Sequence, residues 1–169
     1  MIRSFNGKTP KIAASAFISE AAYVIGDVEI GENCSVWPGA VIRGDLGKIT
    51  IGNNSVIEDN CVIHVGTPAI PPTDHSTIGE NVIIGHGAVS NAHSIGNNVL
   101  ISMNSTILHD AEIGEYSIIA AGCVVKEKMK IPERSFVVGV PAAIKGKISE
   151  QQLWWSQNSP KIYYELAQQ

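Results

Sequence analysis

The side chains in this sequence best equipped for chemistry are its histidines, His64, His75, His86, His93 and His109. A neutral imidazole binds transition metals, and an imidazole near neutral pH moves protons. Such a set therefore opens two chemistries, metal-ion catalysis and general acid–base catalysis. The cysteines do not join them. Cys34, Cys61 and Cys123 lie far apart, form no CxxC pair and read as core filler. What the histidines can do depends on which of them the fold brings together.

The element that must position them is a six-residue repeat. Isoleucine or valine stands at 18, 24, 30, 36 and 42, and after three extra residues again at 51, 57 and 63. A wider break spans 68–77 before Ile78 and Ile84 restart the pattern. Ser90 takes one anchor slot, one hexad loses a residue, and the series then runs unbroken from Ile95 to Val137. Four residues after the anchors stand small or modest side chains, among them Cys34, Ala40, Ser55, Cys61, Ala88, Ser105, Ala111 and Cys123. Period six fits neither an amphipathic helix nor a simple alternating strand. It fits a short strand plus a turn, three of which close one coil, with β-branched anchors stacked inside. The fold class is mainly β, a single-stranded parallel β-helix over residues 1–145, with roughly six or seven coils at the strand spacing of ~4.8 Å.

Residues 146–169 break the period and form a C-terminal α-helical tail. Ser149 and Gln152 make a capping box, and Leu153, Trp154 and Trp155 give the helix an apolar surface. Asn158-Ser159-Pro160 looks like a break, after which Ile162, Tyr163, Tyr164 and Leu166 carry a second short helix or continue the first. The tail is expected to pack along the flank of the prism, its aromatics serving as packing groups.

On such a coil a side chain directly after an anchor points outward. Arg43, His64 and Asn91 then form one outward row, with His109 a step further along its own hexad. His64 and Asn91 are one strand spacing apart, ~5 Å, near enough to share a metal ion. His86 falls on a different side and meets His64 only if a neighbouring copy in a ring supplies it. His75 lies in the 65–77 loop, as a proton shuttle or simply as an exposed side chain. His109 reads as solvated or at an interface.

Composition excludes other classes. A net charge of −4 and a pI near 5.7 leave no basic footprint for nucleic acid or an anionic membrane. Hydrophobic residues make up 44% of the chain, which suits a packed globule. No apolar run approaches the ~18 residues of a membrane span. The odd number of cysteines and the polar segment Met1–Pro10 point to a reducing, cytoplasmic location.

Three segments carry a more specific message. Ser35-Val-Trp-Pro-Gly-Ala-Val-Ile-Arg-Gly-Asp45, Ile57-Glu-Asp-Asn-Cys-Val-Ile-His64 and Ile83-Ile-Gly-His86 resemble, in this order, signatures of the gamma-class carbonic anhydrase family. Val138-Gly-Val-Pro-Ala142 is also similar, though hexapeptide acyltransferases share that ending. The resemblance covers nearly the whole chain. It implies a left-handed β-helix that forms a homotrimer and hydrates CO2 reversibly to bicarbonate at a metal site between subunits. The metal would be zinc, or iron or cobalt. By motif, His64 and His86 correspond to two ligands contributed by different subunits. Arg43 and Asp45 correspond to a pair that ties subunits together near the site. Asp59 corresponds to an acidic residue close to the metal, and Glu58 stands where a solvent-orienting glutamine is usual.

The third ligand histidine of the family falls at Asn91, and His93, two residues on, is the other candidate for that role. An amide oxygen is a weaker zinc donor than an imidazole. The resemblance therefore implies a site of reduced occupancy or activity. Val56 also stands where a polar asparagine is common, and Asp74 is the acidic residue that the 65–77 loop offers as a relay. Two further readings follow. One is a non-catalytic structural trimer of the same family. The other is a CoA-dependent acyltransferase with His64 or His86 as general base.

Overall fold

The structure is a computed structural model that describes residues 1–66 and 74–169. The chain winds into a parallel β-solenoid of about 7 turns, followed by a short C-terminal helix. Coil follows coil in register: Val36 pairs with Ile57, Ile57 with Ile84, Ile84 with Ile101 and Ile101 with Ile119. The six-residue anchors occupy the interior. Ile42, Ile57, Ile63, Ile84, Ile101 and Ile119 are fully buried, each contributing on the order of 1.5–3 kcal/mol. The small slots pack beside them, with Ala40, Ser55, Cys61, Ala88, Ala111, Ser117 and Cys123 all buried. The three thiols are free. Burial pushes Cys34 up to about 11 and Cys61 up to about 12, so both pack as neutral groups.

Most corners are made by residues that tolerate a left-handed backbone, although Tyr116, Lys128 and Arg134 adopt it too. Asn33, Asn54, Asn60, Asn81, Asn98, Asn104 and Asp110 all have positive φ between 55° and 60°. Asparagine and aspartate bear that conformation better than other L-residues. One strand departs from the two-residue norm. Val41–Ile51 runs the length of two sides, absorbing the three extra residues between the anchors Ile42 and Ile51. It pairs with Tyr23–Ile30 through an irregularity at Gly26/Val28. There a Cβ on Gly26 would lie 2.3 Å from the Gly44 carbonyl oxygen, so the approach requires glycine.

Three faces result, and their outward columns differ. The first carries Val41, Val62, Val89, Thr106 and Val124 on successive coils. The second carries Thr50, Thr77, Ser94, Glu112 and Lys130, with Lys11 and Lys48 paired to Glu29 and Lys130 to Glu112. The third carries Val56, Ile83, Leu100 and Ile118, against which the helix packs. The last coil ends at Ser135–Val138, along which Ala143–Lys147 returns antiparallel.

The helix, α1, spans Glu150–Ala167 and opens with the expected reciprocal capping box between Ser149 and Gln152. Of the two arrangements read from Asn158-Ser159-Pro160, the structure takes the continuous one: Pro160 lies inside α1 and no break occurs. Side-chain donors support the backbone ahead of the proline, whose missing N–H weakens the ladder. Ser156 Oγ donates to the Leu153 carbonyl at 3.0 Å and Asn158 Nδ2 to that of Trp154 at 2.7 Å. No helix of the described residues is long and apolar enough to cross a membrane.

Candidate functional site

Two corners flank the valine face, and each holds part of the predicted set. At the corner that follows this face, Arg43 and His64 are register neighbours on adjacent coils, which converge on Asp45. Arg43 donates to Asp45 Oδ2 through Nε at 3.1 Å and through the terminal nitrogen at 2.8 Å, while His64 Nε2 lies 3.0 Å from Oδ1. Burial alone would raise the Asp45 carboxyl. The hydrogen bonds from Arg43 and His64 together outweigh it and hold the carboxyl below its usual range. The site thus has a guanidinium–carboxylate–imidazole chain, with His64 and Asp45 both partly shielded.

Asn91 sits on the next coil in the same row, beside His64. Its amide is satisfied at both ends in one orientation. The nitrogen donates to the carbonyls of Ser90 at 3.1 Å and His64 at 3.2 Å, and Oδ1 accepts from His109 Nε2 at 3.1 Å. The oxygen that would have to face a metal is therefore turned along the row toward His109. His93 points elsewhere again. Its ring meets that of His75 edge-on with centroids 4.4 Å apart, and among the described residues its buried Nδ1 has no hydrogen-bond partner. His75 in turn faces Asp74, Nδ1 to Oδ1 at 3.0 Å. The rest of the expected loop, residues 67–73, lies outside the described residues.

At the corner that precedes the valine face, His86 lies between two carboxylates. Nδ1 is 2.9 Å from Asp59 Oδ2, and Nε2 is 3.0 Å from Glu58 Oε2. Glu58 is the unusual member, a carboxylate only 4% exposed. A buried charge needs donors. It accepts the backbone N–H of His86 at 2.8 Å, and Tyr163 of α1 lines the same cavity. Tyr163 packs edge-on against Trp37, centroids 5.9 Å apart, and Trp37 packs against Phe17 at 5.4 Å. Burial first, then Glu58 beside it, raises the Tyr163 hydroxyl, which keeps it a donor. A cavity of about 290 Å³ opens here, walled by Ile83, Leu100 and Met103 with Glu58, His86 and Tyr163 at its polar end. Tyr163 thus packs as expected of the tail aromatics, and its ring also walls the cavity beside Glu58.

The two corners are not in contact within one chain. Among the described residues no three His, Cys, Asp or Glu side chains converge in a metal-holding group. As donors for a zinc ion, two positions fit in type: His64 has a carboxylate on one ring nitrogen, as in carboxylate–histidine–metal arrangements, whereas His86 has one at each, so Glu58 would have to yield Nε2 to a metal. The third does not, because the Asn91 amide oxygen is committed to His109. The donor set of this chain therefore does not fit a three-histidine zinc centre.

Comparisons with known proteins bear on the repeat, the fold and the relatives of this chain. Residues 9–44 and 92–127 match the bacterial transferase hexapeptide repeat. The chain is 34% identical over 162 residues to the mitochondrial gamma carbonic anhydrase 2 of Arabidopsis thaliana, covering 95% of this chain and 58% of that protein. It thus spans under two thirds of the length of the plant relative. It is 36% identical over 164 residues to the carnitine operon protein CaiE of Escherichia coli, covering 97% of this chain and 81% of that one. A crystal structure of a hexapeptide transferase family protein from Anaplasma phagocytophilum superposes with a TM-score of 0.91 at 32% identity, covering 99% and 96% of the two chains.

Proposed function

This chain belongs to the gamma carbonic anhydrase-like family of hexapeptide-repeat proteins, and from that premise we propose that it acts as a homotrimer with a weakened CO2/bicarbonate site at each subunit contact. In this reading the valine face packs against a neighbouring copy, bringing the His64 corner of one subunit to the His86 corner of the next. The apolar outward row with one histidine corner on either side supports it, since a ring contact joins unlike edges. Arg43 and Asp45 clasp the contact. Glu58 and Asp59 hold His86 and orient solvent.

Asn91 carries the statement about activity. With its oxygen held by His109, the site keeps two of three imidazoles, so zinc, iron or cobalt binds weakly and hydration of CO2 is slow. The same observation favours a second reading, a structural trimer without turnover. Asn91→His tests both. Purified wild type should hold substoichiometric metal, and the variant should bind cobalt or zinc at least about tenfold more tightly, with faster CO2 hydration by stopped flow. A variant that gains metal but no hydration favours the structural trimer. A wild type carrying one tightly bound metal per chain would show that Asn91 is not a lost ligand. Acyl transfer with His64 or His86 as base competes as an enzyme reading, and a thermal shift induced by acetyl-CoA would favour it. The three free, buried thiols suit a reducing compartment, and the cytoplasm is the location proposed.

A further inference from the structure

We propose that His109 is a positioning residue for the His64 corner, a latch that holds the Asn91 amide oxygen along the row and thereby limits how tightly that corner binds a divalent metal ion. This rests on reading the corner as a weakened metal site, and it adds a residue to which that reading gives no role.

The row is built so that one imidazole reaches back across a coil. Ser90 pairs with Ile107, so Leu108 stands beside Asn91 and His109 lies one step further on. There the chain enters a left-handed corner at Asp110, with φ of 60°, and the Lys128 N–H donates to the His109 carbonyl at 2.9 Å. The ring turns back to the Asn91 amide and approaches it through Nε2 to 3.1 Å. Both side chains are half-buried, so water competes less for this contact than on an open surface.

The neighbours of Asn91 decide which end of the amide meets the ring. The carbonyl oxygens of Ser90 and His64 lie 3.1 and 3.2 Å from the other end. An amide oxygen placed there would face two acceptors with no proton between them, so the nitrogen takes that place. The amide oxygen then faces His109, which must carry a proton on Nε2. The coil of His109 lies on one side of Asn91 and the coil of His64 on the other. A metal ion held by His64 and the amide oxygen would require the amide to turn. That turn breaks the bond from His109 as well as both bonds to the carbonyls. Without His109 it breaks two bonds instead of three. The weakness of the corner thus has two separable sources, the amide at position 91 and the imidazole that latches it.

The test uses the full chain and the substitutions His109→Leu, His109→Gln and Asn91→Ala. Nitrogen-15 NMR of the histidine rings reads the latch in the wild type. His109 should be protonated at Nε2, and a neutral ring protonated at Nδ1 alone would overturn the proposal. In His109→Leu the side-chain amide protons of Asn91 should exchange with solvent at least about twofold faster, for the loss of one hydrogen bond. His109→Gln keeps an N–H donor and should restore the wild-type rate. Cobalt(II) titration should show binding about twofold to tenfold tighter in His109→Leu than in the wild type, the range set by one hydrogen bond. Adding Asn91→Ala should erase that gain. Unchanged cobalt affinity in His109→Leu, or a gain that survives Asn91→Ala, would overturn the proposal. Asn91→His separates this from the underlying reading. If that variant gains metal while His109→Leu does not, the latch fails and the weakened site stands; if neither gains metal, both fail.

Discussion

The valine face and the charged face belong to the same coils, yet their outward columns share almost nothing. One shows Val62, Val89, Thr106 and Val124; the other Thr77, Ser94, Glu112 and Lys130. Their inward columns are interchangeable, with Ile63 and Ile95 equally buried. A solenoid thus separates two tasks that a globular fold mixes. Inward residues close the coil, and outward residues on each side are free to specify what that side meets. The charged face offsets Glu29 with two lysines and suits water. The other is apolar between two corners that carry all the candidate ligands.

That contrast can be broken most decisively at its centre. Val89→Glu should turn the assembly into monomers by light scattering, whereas Thr77→Glu, one coil away on the charged face, should leave the oligomer intact. Equal behaviour of the two variants would mean that the valine row is not the contact. The inward columns sharpen the point with a smaller, symmetric effect. Ile63→Ala and Ile95→Ala should each cost about 2–5 kcal/mol in denaturant unfolding, with little difference between faces. The smallest effect belongs to the charged face. Hydrogen bonds from Lys48 and then Lys11 hold the Glu29 carboxyl below its ordinary value. Its contribution is present above the ordinary glutamate range and disappears as pH falls through the lowered one. The carboxyl is partly exposed at the surface and its pairing is screened by solvent, so NMR should show the lowered titration while the melting temperature of Glu29→Gln shifts little.

Much of the scaffold was legible because burial enforces it at fixed spacing. Each anchor from Ile18 to Val137 faces inward or packs against the core, and the cysteines fill small slots as read. The three extra residues after Ile42 appeared as an irregularity and became a strand spanning two sides. The corners were less legible. Nothing in a hydrophobic period announces that asparagines such as Asn54, Asn81 and Asn98 adopt positive φ to turn the chain. At the site, types and one row were readable: Arg43, His64 and Asn91 do stack, whereas the approach of Glu58 and Asp59 to His86 was not read from the sequence. Directions were not. Whether Asn91 aims its oxygen at a metal or at His109 depends on one rotation set by three partners. Tyr163 depends on where a helix lies, and the apparent break at Pro160 hid that helix's full reach.

The antiparallel return of Ala143–Lys147 along Ser135–Val138 has a consequence for assembly. A stack of parallel rungs ends in a row of open N–H and C=O groups on which another molecule could continue the same ladder, and growth of that kind leads to fibres. Reversing the chain direction on the final rung of this face removes a template that matches the first one. In the trimer proposed above, copies then meet side by side, where a rotation can close.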